Sequence, residues 1–181
     1  GLVGSEMCIR DRIDGLEYLV QQYQTKAMRA AFLILSDSAQ AEDVVADAFI
    51  RAYEKIDSFD AEKSFSPWFY QIVVNLARRK LKNRNRLVSF GAFQAKPQNS
   101  LSDVRSGVNG NPARTVEEQE EYAVLWQAVS ALPVNQRMVV VQHYYLEMSI
   151  EEISALGHVP TGTVKWRLHT ARKRLRKAVG E

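Results

Sequence analysis

A single cysteine among 181 residues has nothing to pair with, so no disulfide framework holds this chain together. That thiol and three scattered histidines fall short of a zinc ligand set. No run comes near the roughly 18 apolar residues of a membrane span. There is no Gly-rich phosphate loop and no Ser-His-Asp grouping, so the common enzyme signatures are missing. No segment alternates as a strand does, and no repeat is detectable. No catalytic residue, metal or other cofactor is expected. The composition itself, 46% hydrophobic and 25% charged, is that of a soluble globular chain. The length allows one domain or two small ones.

The formal charge is only +3, but the charges are sorted along the chain. Arg78–Arg86 reads RRKLKNRNR and Lys165–Lys177 reads KWRLHTARKRLRK, and neither stretch holds an acid. Thr115–Val159 holds Glu117, Glu118, Glu120, Glu121, Glu147, Glu151 and Glu152 against Arg137 alone. Asp37–Glu62 is likewise acidic, with Arg51 and Lys55 as its bases. Basic stripes follow a phosphate backbone because binding releases condensed counterions. A solvated helix end would account for one such stripe. Two of them, each with aromatics nearby, point to nucleic acid.

Residues 1–12, GLVGSEMCIRDR, lack helical or strand periodicity and have no signal-peptide core. Their second part matches one reading frame of a transposon sequencing adapter, so 1–12 are expected to be non-native, and Cys8 falls with them. From Ile13 the spacing of Leu16, Leu19, Val20, Tyr23, Ala27, Ala30 and Ala31 predicts a helix to Leu35. Ser36-Asp37-Ser38 breaks it. Val44, Val45, Ala48, Phe49, Ala52, Tyr53 and Ile56 form the apolar stripe of a second helix. Asp57–Ser66 is a polar loop carrying Phe59 and Phe65. Ser66 and Pro67 read as N-cap and first residue of a third helix, which runs to about Arg84.

Residues 89–114, rich in Ser, Asn, Gly and Pro, read as a flexible linker. Beyond it, Thr115-x-x-Glu118 and Ser149-x-x-Glu152 are capping boxes. Helices are expected up to Pro133, over Pro133–Leu146, from Ile150 to near Gly157, and from about Pro160 to Ala178. The fold class is therefore all-α, two small helical domains on a tether. The final pair, a short helix, a tight turn and a basic second helix, matches a helix-turn-helix. Its second helix would enter a major groove. Thr163, Lys165, Trp166, Arg167 and His169 are then candidates for base or phosphate contact, and Arg172 and Lys173 for phosphate. Val164, Leu168 and Leu175 should pack inward.

These residues carry a family resemblance. SIEEISALGHVPTGTVKWRLHTARKRLRK resembles region 4.2 of bacterial sigma factors of the sigma-70 family, extracytoplasmic-function (ECF) subfamily, and ALPVNQRMVVVQHYYLEM resembles region 4.1. AEDVVADAFIRAYEKIDSFD is similar to region 2.2, and FSPWFYQIVVNLARRKLKNRNR to regions 2.3 and 2.4. The resemblance spans 13–88, as a region 2 helical bundle, and 115–179 of a region 4 domain reaching to 181. Trp166 stands where the family commonly has Ser, His158 where it often has Gly, and Arg79 where many relatives have an acid.

The resemblance implies a cytoplasmic subunit that binds core RNA polymerase through the β′ clamp helices and the β flap. It implies promoter DNA as the other partner, with the −35 element read as duplex and the −10 element as melted single strand. Asp43, Asp47, Arg51 and Glu54 are the implied core-binding residues. Phe59, Phe65, Trp68, Asn75, Arg78, Arg79 and Lys82 are the implied −10 set, with Tyr70 as a further aromatic, because single-strand capture needs π-faces beside cations. Phe59 and Asn75 match the positions that pocket a flipped base. In relatives an anti-sigma factor often covers both domains, and the implied setting is stress-responsive transcription initiation. The alternative is a helix-turn-helix regulator that binds duplex operators without polymerase.

Overall fold

The computed structural model describes residues 5–60, 62–89 and 124–180, and every regular element among them is helical. The expected linker, apart from Ser89, and the Thr115/Glu118 capping box lie outside the described residues.

The first body is a bundle of three helices, α1 (Ser5–Leu35), α2 (Ser38–Lys55) and α3 (Phe65–Ser89). α1 begins at Ser5 and not at Ile13. Glu6, Met7, Arg10 and Arg12 are all good helix formers, and extending an existing helix costs little once it is nucleated. Ser36 ends α1 in the left-handed region at φ 57°, and its N–H bonds to Phe32 O at 2.8 Å. Asp37 then caps α2 by accepting from Gln40 N at 2.9 Å. Ala27, Ala30 and Ala31 of α1 and Ala41, Ala48 and Ala52 of α2 are buried in one core, and such small side chains let two packed helices approach closely. Phe69, Val73, Val74 and Ala77 of α3 close the core.

Two expectations are corrected here. Tyr53, assigned to the α2 stripe, is exposed, because it lies about 100° from Ala52 on the wheel and the core face ends there. Ser66 does not cap α3, which already starts at Phe65 and continues to Ser89, past Arg84. Its hydroxyl lies 3.3 Å from the Tyr23 hydroxyl, and Pro67 is tolerated because the first-turn N–H groups have no intrahelical acceptor.

The second body contains α4 (124–130), α5 (Val134–Val140), α6 (Ile150–Gly157) and α7 (Thr161–Val179). The single helix expected over Pro133–Leu146 is instead α5 followed by a π-helical turn, Val141–Tyr145, in which Leu146 N reaches Val141 O at 2.9 Å. Glu147, at φ 59°, reverses the chain towards α6.

The two bodies are not held apart. α1 contacts α5 and the π turn, and α3 contacts α6. Phe32 of α1 stacks on Trp126 of α4, with centroids 5.1 Å apart and planes 8° off parallel. Lys26 and Glu147 form an ion pair at 2.9 Å. Gln142 Nε2 donates to Gln71 Oε1 at 2.7 Å, with both side chains buried.

Candidate nucleic-acid interface

The helix-turn-helix is built from local signals. Ser149 Oγ accepts from Glu152 N at 3.1 Å while the Glu152 carboxylate accepts from Ser149 N at 2.8 Å, so the capping box starts α6 as expected. His158 ends α6 in the left-handed region, φ 51° and ψ 44°. Ser154 bridges the turn by donating to Val159 O at 2.7 Å. The turn sets the start of α7, whose Val164, Leu168 and Ala171 are fully buried. Leu175 packs against the same core from a half-buried position.

That inward face fixes where the other side chains go. Trp166, His169 and Lys173 fall within about 60° of one another on the opposite, solvent side. Trp166 is 62% exposed. Lys165 is exposed on one flank of this face. Thr163 and Arg167, on the other flank, are half-buried, and Arg167 turns towards α3. Arg172 is exposed on the same flank as Lys165, about 20° from it on the helical wheel. It lines an apolar groove of about 350 Å³ with Leu33, Leu125, Tyr144 and Leu175.

The aromatic set at the head of α3 is a single cluster. Phe59 lies 4.9 Å from Trp68 and 5.6 Å from Phe65, and Phe65 lies 5.3 Å from Tyr23 and 5.8 Å from Phe69, measured between ring centroids. Phe59, Phe65 and Trp68 are half-buried, whereas Tyr70 is buried. Burial, with Tyr23, Tyr145 and Glu147 nearby, pushes the Tyr70 phenol up to about 12. Ahead of the cluster, Asp60 is held below its usual range by the Glu62 N–H and then by Lys63, which ties the loop. Further along α3, Asn75, Arg79 and Lys82 share Trp68's face to within about 60°. Arg79, Lys82 and Arg78 are exposed, while Asn75 is half-buried and accepts from Gln71 at 3.2 Å.

On α2, Asp43, Asp47 and Glu54 are exposed and share one face, with Arg51 half-buried at its edge. Asp43 pairs with Lys80 of α3 at 2.9 Å. Within that face sits Ile50, 58% exposed, which sequence reasoning missed. Its wheel position opposite Ala48 and Ala52 was the available signal. Arg137 was also missed. Its guanidinium donates to Ile34 O at 2.7 Å, to Leu132 O at 3.2 Å and to Ser130 O. No carboxylate is among these partners, and burial, aided by Arg84, holds its pKa below the usual arginine value. No sequence signal distinguishes Arg137 from a solvated arginine. Among the described residues there is no cluster of acids, histidines or cysteines fit to hold a metal ion, and no helix long and apolar enough to cross a membrane.

Comparison with known proteins covers both bodies. The Sigma-70 region 2 family model matches residues 19–87, and the Sigma-70, region 4 model matches residues 122–175. The ECF RNA polymerase sigma factor SigW of Bacillus subtilis is 33% identical over 95% of this chain and 97% of its own length. The ECF RNA polymerase sigma-E factor of Escherichia coli K12 is 31% identical over 86% of this chain and 81% of its own. Among solved structures, the sigma factor RpoE of Bartonella quintana, in complex with the anti-sigma factor NepR, superposes with a TM-score of 0.70 at 25% identity. That superposition covers 92% of this chain and 96% of RpoE.

Proposed function

The chain belongs to the ECF group of the sigma-70 family, and from that premise we propose that it directs core RNA polymerase to promoters by reading a −35 duplex with α7 and a melted −10 strand with α3. The family supports transcription initiation as the activity; the division of labour between helices is our own reading. The observation that carries it is the co-occurrence, on one chain, of an exposed basic recognition helix and a separate aromatic-basic helix. An operator-binding regulator needs only the first.

For the −35 element, Trp166, His169 and Lys173 supply the groove-facing side of α7, with Lys165 and Arg167 on its flanks and Thr163 at its start. Trp166 offers an apolar face to a thymine methyl where a Ser would offer a hydrogen bond. Arg172 reaches a phosphate from the flank. For the −10 element, the Phe59–Phe65–Trp68 cluster gives stacking surfaces and Arg78, Arg79 and Lys82 follow the backbone, with Asn75 reading a base edge. The polymerase is held by the exposed face of α2, where Asp43, Asp47, Arg51 and Glu54 surround Ile50. An apolar centre with a polar rim is the usual anatomy of a protein interface. The apolar groove beside Tyr144 suits the β flap. An anti-sigma factor is a further partner by analogy with RpoE, whose structure contains NepR. This subunit would work in the cytoplasm, as a DNA-binding regulator and not as an enzyme.

Run-off transcription with purified core polymerase and a randomised promoter library tests the reading. Transcripts sharing −35 and −10 elements are expected. Duplex binding by the chain alone, without core binding or transcripts, would instead make it an operator-binding regulator.

A further inference from the structure

The outward face of α7 is polar or basic except at one place. No acid occurs between Thr161 and Val179. Lys165, His169, Arg172 and Lys173 are all exposed. Trp166 stands among them, nearly opposite the buried Val164, Leu168 and Ala171 on the helical wheel, and 62% of it is in water. Among the described residues of α7, the other exposed large apolar side chain is Val179, at the far end of the helix. Beside Trp166, Thr170 donates its hydroxyl proton to Trp166 O at 2.9 Å, so that hydroxyl is committed to the helix backbone. We propose that Trp166 reads the C5-methyl group of a −35 pyrimidine, so that thymine and 5-methylcytosine satisfy it while uracil and cytosine do not. The proposal rests on the reading of α7 as the −35 helix.

The chemistry of the two partners fits. Base edges in the major groove offer donors, acceptors and one apolar group, the thymine methyl. An indole has a single N–H donor and no acceptor, so it takes no hydrogen bond from the amino groups of adenine or cytosine. For the acceptors of guanine and thymine, Lys165, Lys173 and Arg167 are stronger donors because they are charged. What Trp166 adds to this helix, and none of its neighbours supplies, is a wide apolar surface. A helical side chain leans over the turn N-terminal to it, which here carries Gly162. A Cβ at Gly162 would meet nothing within 4 Å, so the indole has open space on that side. Trp166 also lies in the N-terminal half of α7, the part of a recognition helix that contacts base edges. 5-Methylcytosine carries the thymine methyl on the same ring carbon and differs at C4, where an apolar contact has nothing to sense. A Ser at this position would instead bond to polar edge atoms and ignore the methyl. Methylation of a cytosine placed there would therefore strengthen a promoter for this chain.

The test uses holoenzyme assembled from the full chain and purified core polymerase, on a promoter selected by the run-off library. Each −35 thymine is replaced in turn by deoxyuridine, which removes the methyl and keeps every hydrogen-bonding atom. At the same positions cytosine is compared with 5-methylcytosine. At one position or more, uracil should lower −35-dependent transcription about fourfold, the worth of one methyl withdrawn from water. There 5-methylcytosine should exceed cytosine by a similar factor. Trp166→Ser and Trp166→Ala should lose both differences. Each comparison is made within one protein, so a variant's lower overall level does not obscure it. If Trp166 only supported the helix, its variants would lower all templates alike and keep the differences. Equal transcription from thymine and uracil templates at every position overturns the methyl contact. So does a methyl effect that survives in both variants, or 5-methylcytosine behaving as cytosine, or a selected −35 element without thymine. Each of those results keeps the sigma role, because transcripts still depend on the −35 element. Transcripts indifferent to that element, or none at all, discard the −35 reading of α7 and the methyl contact with it.

Discussion

Trp166 is a large aromatic side chain left in water on a helix whose neighbours are cations. Nothing in the fold leans on it, so Trp166→Ala should change the urea midpoint by no more than about 0.5 kcal/mol equivalent. The same substitution should lower transcription from promoters that need a −35 element and spare those that do not. A large stability loss would instead make it a packing residue. Tyr70 behaves in the opposite way. Its folded pKa, about 12, is raised above the ordinary 10.0. The neutral phenol therefore stabilises the fold fully below pH 10.0, and that contribution is lost as pH climbs towards about 12, where the unfolded chain has already released the proton. Tyr70→Phe has no proton to lose. Its melting temperature should fall less steeply than that of the parent across this window.

At the level of whole helices, α2 shows how much one wheel position decides. Its inner face was readable, because Val44, Val45, Ala48, Phe49 and Ala52 recur with the helical period and all are buried. The outer face reads as plain solvated charge until Ile50 is placed among Asp43, Asp47 and Glu54. Ile50→Ala removes exposed surface and should leave stability nearly unchanged, yet weaken core polymerase binding by about tenfold if it is an interface anchor. Fluorescence titration with core polymerase measures this, and unchanged affinity would remove α2's outer face from the interface. In α6, the Ser149–Glu152 box was legible because both partners lie within one turn. The π turn at Val141–Tyr145 was not, since an extra residue in a helix carries no residue-type signature and is set by what the helix packs against.

Across the whole molecule, the two bodies share a core contact through Phe32 and Trp126. Phe32→Ala should cost about 3 kcal/mol as a buried cavity. Because the stack crosses the junction, hydrogen exchange should speed up in α4 and α5 as well as in α1. Loss of protection confined to α1 would mean the bodies are energetically independent. Local rules were enough for much of this protein: the helical class, most of the inward stripes, the Ser149–Glu152 cap, the helix-turn-helix and the family signatures all depend on residues a few positions apart, whereas the expected Ser66 cap and the inward placing of Tyr53 did not hold. The closing of α3 against the second body was beyond such rules. It depends on Arg137 meeting Ile34 and on Gln142 meeting Gln71, pairs far apart in the chain, and the chemistry of an arginine or glutamine is the same in water as in a junction. Sequence by itself determined which faces were apolar and which stripes were basic, because periodicity and charge belong to the chain. Only the tertiary structure decided which of those polar faces meet each other, because that depends on how two finished bodies dock.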